Sequence, residues 1–250
     1  AGGWTAGVKE VKLKISYLLS GDTYYWNATT FSSTTYPADG VLATGTTDWY
    51  YTNTPFVNGT AWTSGRTYYA RVKVSDNADN IASEQTNTFV FDNIAPSCDI
   101  AYPGSGLAFK NLPSISGTAT DATSAITKVE LTIRDITRGT PYWTGTNWVY
   151  NASELWFDIG SAGVDWNYTI PYPTSTLTDG HSHTVKARVT DAGTNLSNNS
   201  AAYTFSEDKT EPNSAFKYPV DNLYYTSLAT LSGTSYDATA GVNTVTIAIQ

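Results

Sequence analysis

Methionine is absent from this chain, and cysteine is nearly so. The single thiol, Cys98, excludes an internal disulfide scaffold. Charged residues make up only 14% of the 250 positions, which is not the salt-bridge-rich surface of a typical cytosolic protein. The net charge of −8 and a pI near 4.6 give a phosphate backbone nothing to bind, so nucleic acid is not an expected partner. No apolar run approaches the roughly 20 residues that a membrane helix needs. No signal peptide is present and the chain opens on Ala; an internal fragment would read the same way, so this says nothing about secretion. The GxSxG, HExxH, P-loop and Cys–His patterns are missing, and no carboxylate pair recurs in the manner of a glycosidase. The expectation is a protein that is not an enzyme and needs no cofactor.

What is abundant is Thr, Ser, Asn and aromatic residues, with eight Trp and eighteen Tyr. Helical periodicity is nearly absent and period-2 alternation is frequent. Val11, Leu13 and Ile15 share one strand face, with Lys12 and Lys14 on the other. Val129, Leu131 and Ile133 repeat this against Lys128, Glu130 and Thr132. Val185, Ala187 and Val189 alternate with Lys186, Arg188 and Thr190, as Ala70, Val72 and Val74 alternate with Arg71, Lys73 and Ser75. One buried and one wet face predict antiparallel sheets packed face to face.

The chain also repeats itself. Residues 210–250 run parallel to 94–134 at a shift of roughly 116 positions, the length of one small β domain. Leu-Ser-Gly-Thr-Ser-Tyr-Asp-Ala-Thr at 231–239 answers Ile-Ser-Gly-Thr-Ala-Thr-Asp-Ala-Thr at 115–123. The first third joins the series: Val11-Lys-Leu-Lys-Ile15 answers Val129-Glu-Leu-Thr-Ile133, Trp26 answers Trp143, Trp49 answers Trp166, and Phe89 answers Phe205. The reading is a repeat lacking its first strands (1–93), a complete repeat (94–209) and the start of a third (210–250). Short linkers ending in Pro, at 92–96 and 208–212, mark the junctions.

The complete repeat is expected to hold about seven strands, near 97–102, 112–119, 126–135, 139–144, 164–170, 182–190 and 200–206, with 145–163 the least regular part. The order Asp-x-x-x-Pro, Ser-Gly-Thr-Ala, Ile-Thr-Lys-Val-Glu-Leu, Tyr-Trp, Asp-Trp, Arg-Val-Thr-Asp, Thr-Phe resembles bacterial Ig-like tandem repeats of long secreted and surface proteins. The resemblance spans essentially the whole chain. It implies an all-β fold of tandem Ig-like, fibronectin III-like sandwiches, placed at the cell surface or outside the cell. It is nearly silent on activity.

Trp26, Trp143, Trp49 and Trp166 recur between copies and read as structural. Trp4, Trp62 and Trp156 have no aromatic counterpart and are the candidates for interface or glycan contact. Asn27, Asn58, Asn151, Asn167, Asn195 and Asn198 sit in Asn-x-Ser/Thr triplets, as candidate glycosylation sites. Asp76, Asp79, Asp92, Asp191 and Asp208 are weak calcium candidates, because Asp in tight loops usually bonds its own backbone. His181 and His183 share a strand face, expected to be two solvated residues rather than a metal site. The expected function is a structural repeat of an extracellular fibre, stalk or surface coat. Its partners are neighbouring repeats of the same long chain, or like subunits in a filament. The alternatives are an adhesin or glycan-binding module, or an accessory region of a secreted polysaccharide-active enzyme. Strand donation between subunits is weighed as well: 210–234 hold the strands that 1–93 lack. Against it, the third strand occurs in both pieces, at 7–15 and 241–249, which suits a window on a continuous chain better.

Overall fold

The computed structural model describes residues 7–139, 141–160, 163–171 and 177–249. Among the described residues the regular structure is almost wholly β, with one helical turn, and the chain divides into two compact units. One comprises Ala1–Ile94 with Ala122–Ser124, the other Ala95–Asp121 with Ala125–Gln250.

In the first unit, β1 (Val8–Leu19), β2 (Asp22–Trp26), β3 (Phe31–Ser32) and β4 (Val41–Leu42) precede a small hairpin, β5 (Thr44–Gly45) and β6 (Trp49–Tyr50). The turn α1 (Thr54–Val57) follows, then β7 (Arg66–Asp76) and β8 (Gln85–Phe91). The main sheet has the order β3-β2-β1-β7-β8, with β4 also on β1. Asn53 caps α1: its side chain accepts from the Phe56 N–H, and Pro55 stands where a helix start tolerates it. The core gathers Val11, Leu13, Ile15, Trp26, Val41 and Ala43.

The second unit adds β9 (Ser97–Tyr102), β10 (Leu107–Phe109), β11 (Ser114–Thr120), β12 (Ile126–Asp135), β13 (Pro141–Trp143), β14 (Trp148–Tyr150), β15 (Phe157–Asp158), β16 (Asp165–Thr169), β17 (Ser182–Asp191) and β18 (Tyr203–Glu207). One sheet runs β10-β18-β17-β12-β13-β14, with β15 on β12; the other runs β16-β11-β9. Their inner faces share one core. Ile100, Ile115, Ala119 and Trp166 come from the small sheet, and Val129, Leu131, Ile133, Val185, Ala187, Val189 and Phe205 from the large one. This is an Ig-like, fibronectin III-like β-sandwich. A chain of alternating strands reaches it because each sheet has one apolar face to hide. Gly117 is obligatory in that core, because a Cβ there would strike the Trp166 ring and the Asp99 carbonyl.

The same unit continues into β19 (Asn213–Tyr218) and β20 (Ser232–Tyr236), an antiparallel pair separate from the sandwich sheets. Residues 241–249 form no strand.

Burial departs from the sequence reading on one face of β12. Glu130 and Thr132, expected in water, are buried. Arg188 Nε and Lys128 Nζ donate to Glu130 at 2.9 and 2.8 Å, which satisfies its carboxylate out of water. The region 145–163, read as least regular, carries β14 and β15.

Candidate assembly surfaces and a buried polar cluster

The central strand pairs of the two units match in register. Val11↔Val74, Leu13↔Val72 and Ile15↔Ala70 in β1–β7 match Val129↔Val189, Leu131↔Ala187 and Ile133↔Val185 in β12–β17, with a bulge at the same place in both. The Trp26 indole donates to the Tyr51 hydroxyl at 3.0 Å, as Trp143 does to Tyr168 at 2.8 Å. Tyr68 stacks on Phe89 at 5.5 Å, and His183 stacks on Phe205 at 5.4 Å.

The two end loops match as well, although their sequences diverge. In 76–80 the Asp76 carboxylate accepts from the Asn80 backbone and side-chain N–H groups at 2.9 and 2.8 Å. In 191–195 the Asp191 carboxylate accepts from Asn195 in the same way, at 2.8 and 3.0 Å. The bond from the Asn80 side chain, chiefly, holds Asp76 below the usual carboxylate range. Asp and Asn at the first and fifth positions suffice for the loop, so the residues between them are free to vary.

What differs is the second layer. Among the described residues, the first unit has no counterpart of β9, β10 or β11. Its β7 has lost the sharp in–out alternation that β17 keeps. Phe89 is 38% exposed where Phe205 is 1%, and Trp49 is 40% exposed where Trp166 is 2%. Recurrence of Trp49 and Trp166 therefore does not bring equal burial. Within the described residues β6 pairs only with β5, whereas its counterpart β16 pairs along its length with β11.

The hairpin β19–β20 shows the complementary state. Its register reproduces β9–β11 position by position: Ser214↔Ser235 for Cys98↔Ala119, Phe216↔Gly233 for Ile100↔Gly117, Tyr218↔Ser232 for Tyr102↔Ser116. Yet Phe216 is 68% exposed where Ile100 is 3%. A groove of about 420 Å³ between this hairpin and 245–248 stays unfilled. Apolar side chains thus stay exposed on β6 and β8 of the first unit and on the hairpin, although the inner residues of β1, Val11, Leu13 and Ile15, are buried.

The second unit also buries a polar cluster. His183 is fully buried and neither ring nitrogen has a hydrogen-bond partner. This corrects the expectation of two solvated histidines: His183 occupies the inward position that Tyr68 fills in the first unit. Burial, the largest influence, pushes its pKa down to about 4, against the pull of Asp135. His181 Nδ1 lies 2.7 Å from Asp135 Oδ2, and His183 Nε2 lies 4.0 Å from the same oxygen. Burial opposes ionisation of Asp135, but the His181 bond and the Arg138 N–H hold it below the usual carboxylate range. The two rings stand 6.5 Å apart, and the three side chains do not converge on one metal-sized point. In the first unit the same three positions hold Arg66, Tyr17 and Tyr68, with the guanidinium 4.0 Å over the Tyr17 ring and Tyr17 edge-on to Tyr68. One slot thus carries a charged hydrogen-bonded set in one unit and a cation–π set in the other. Asp135 and His183 were readable in principle, since both fall on the inward face of their strands by period 2.

Trp4 lies outside the described residues. Trp62 is half-buried among Phe31, Phe56, Tyr68, Phe89 and Phe91, and Trp156 lies 4.4 Å under the Arg188 guanidinium. Asn58, Asn151, Asn167 and Asn198 are exposed. Asn27 and Asn195 are half-buried and serve their own loops, Asn27 accepting from the Thr29 and Thr30 N–H groups. Asp79 pairs with Lys9 at 2.6 Å, and Asp92 accepts from the Ser64 hydroxyl and the Ile94 N–H. Asp208 accepts from the N–H groups of Thr210 and Ala240 at 3.2 and 3.0 Å. Cys98 is half-buried near the Ala187 carbonyl, and burial pushes its thiol up.

No protein-family model and no curated protein matches the chain. Among solved structures, fibronectin(III)-like modules of Clostridium thermocellum CbhA resemble it at 12% identity and a TM-score of 0.37, over 84% of this chain and 85% of that one. The sandwich assignment rests on the strand pairing and the shared core described above; a likeness of this size adds nothing about function. No helix among the described residues is long and apolar enough to cross a membrane.

Proposed function

We propose that this chain is a non-catalytic structural segment of an extracellular fibre, stalk or surface coat, built from repeats at 1–93, 94–209 and 210–250. The observation that carries the reading is the recurrence of register. The β1–β7 pair matches β12–β17, and β9–β11 matches β19–β20, although the surface residues between them vary. A fold that preserves its core pairs and loop hydrogen bonds, while its exposed positions drift, is selected for shape. The buried His–Asp cluster supports the same reading: its slot holds different chemistry in each unit, as a packing position does and a catalytic one does not. Partners are neighbouring repeats or like subunits. Each repeat contributes roughly 35–45 Å of length, from strands of six to ten residues plus loops.

The test is imaging of the native polypeptide by negative-stain electron microscopy, with its denatured mass and sugar content measured on the same preparation. Strings of beads at that spacing are expected. Compact single particles, or polysaccharide hydrolysis by the chain, overturn the reading. Tight glycan binding by isolated beads replaces it with the adhesin alternative.

A further inference from the structure

We propose that Asp179 is a clasp: it pins the exit linker at 208–210 to the end of the second sandwich and so shields the Lys209–Thr210 bond from trypsin-type proteases. The proposal rests on contacts within the second unit and not on the fibre role.

The chain leaves β18 at Glu207 and is fastened at once. The Asp208 N–H donates to the Phe109 carbonyl at 2.8 Å. The Lys209 N–H donates to one Asp179 oxygen at 2.6 Å, and the Thr210 hydroxyl donates to the other at 2.9 Å. The Thr210 N–H turns back to the Asp208 carboxylate at 3.2 Å. Beside Asp179, Gly180 turns the chain at a φ of +72°, and its N–H donates to the Glu207 carbonyl at 2.9 Å. The bond from the Lys209 N–H, chiefly, holds Asp179 below the usual carboxylate range. Asp179 therefore grips the linker as a charged acceptor, the stronger kind.

The Lys209 side chain is folded back on the same end of the sandwich. Its Nζ lies 3.0 Å from Oε1 of the buried Glu207 and donates to the Leu177 carbonyl at 3.4 Å. Lys209 is the one Lys or Arg in the linker 208–212, and so the one residue there that a trypsin-type pocket selects. To enter that pocket the side chain must leave Glu207, and the backbone must let go of Asp179. Cleavage then waits on local opening of the linker.

The first unit fastens its own linker at the same place with different chemistry. Ser64 stands where Asp179 does, and Gly65, at a φ of +78°, donates its N–H to the Phe91 carbonyl at 2.9 Å. The Ser64 hydroxyl accepts from the Asn93 N–H at 3.2 Å and donates to the Asp92 carboxylate at 3.1 Å. Fastening thus recurs although the residue that does it has changed. Asn93 stands where Lys209 does, so the shielded lysine is particular to the second linker.

The experiment is limited trypsin digestion of the full 250-residue chain, following the fragments 1–209 and 210–250 by mass. A synthetic 204–214 peptide, which has the same residues around the bond, gives the unshielded rate. The intact chain is expected to be cut at Lys209 at least about tenfold more slowly than the peptide. Asp179→Ala should recover most of that difference, with cuts elsewhere and thermal unfolding unchanged. Asp179→Asn keeps an oxygen for the Lys209 N–H and an amide for the Thr210 hydroxyl, and should stay close to the parent chain. Cleavage of the parent chain at the peptide rate overturns the proposal. So does an Asp179→Ala chain as resistant as the parent. Hydrogen exchange in the unaltered chain gives a reading that needs no variant. The Lys209 amide should exchange about tenfold or more slowly than in the peptide, and exchange at the peptide rate overturns the proposal as well. None of these outcomes depends on whether the native polypeptide forms bead strings, so the two readings fail separately.

Discussion

The first unit and the second contain the same sheet, yet only one of them is a closed sandwich. Their central strands pair in the same register, carry the same bulge and end in the same Asp–Asn loop. The second unit lays β16, β11 and β9 across that sheet and drives Leu131, Val185 and Val189 out of water. Among the described residues, the first sets the short β5–β6 hairpin and a knot of rings around Trp62 against its sheet, which buries Val11, Leu13 and Ile15 but leaves Trp49 and Phe89 exposed. The lesson is that the sheet and its cover are separable parts. Strand pairing is satisfied within the sheet, by backbone bonds that need no second layer. Burial is not, because an apolar face leaves water only when another face meets it.

The sharpest way to break this comparison is to remove the paired tryptophans. Trp166→Ala is expected to cost about 3–5 kcal/mol, as a buried ring lost from a packed core, while Trp49→Ala in dilute chain costs less than about 1 kcal/mol. Urea unfolding, with hydrogen exchange to localise the loss, checks both; equal costs would mean that the first unit is closed in solution. Next comes acid. His183 is held neutral in the fold, with a pKa of about 4 against 6.5 when exposed. Between those values the unfolded chain binds the extra proton. The contribution is therefore fully present above about pH 6.5 and is lost as pH falls to about 4, at about 3 kcal/mol in all. The depressed Asp135 acts in the same direction at lower pH. Unfolding of the second unit should follow this profile, His183→Phe should flatten it, and the first unit, with Tyr68 in that slot, should lack it.

A smaller effect sharpens the comparison at a shared feature. Tyr168→Phe removes the hydroxyl that accepts from Trp143 and should cost about 1 kcal/mol. Tyr51→Phe should cost about as much, and a much larger loss there would show that the second bond its hydroxyl accepts, from the Asn53 amide, contributes beside that from Trp26. Smallest of all is Lys9→Ala. It breaks an exposed ion pair with Asp79, and the denaturation midpoint should not move measurably.

Much of the strand pattern was readable along the chain. The alternation in 126–135 and 182–190 places β12 and β17, and the repeat carries the same reading to β1 and β7. The misreadings have one cause. Glu130 and Thr132 alternate as outward residues should, but both are buried, Glu130 bonded by Arg188 and Lys128. His183 is polar, and polarity suggested solvent; the strand register instead put it inward, against Phe205 and Trp148. Trp49 recurs as Trp166 and so read as a core residue, but nothing in its own unit covers it. The exposure of the β19–β20 hairpin was equally invisible, because its residues match buried ones of β9 and β11.

The sequence by itself determined the fold class, the positions of the main strands and the internal likeness between segments of the chain. Those follow from period-2 alternation, turn residues and internal likeness, all of which are local or shift-invariant. Only the tertiary structure decided which apolar faces are covered, which polar groups are taken out of water and which strand edges stay open. Exposure belongs to a pair of surfaces rather than to a residue, so identical motifs such as Asp-Trp at 48–49 and 165–166 end in different surroundings.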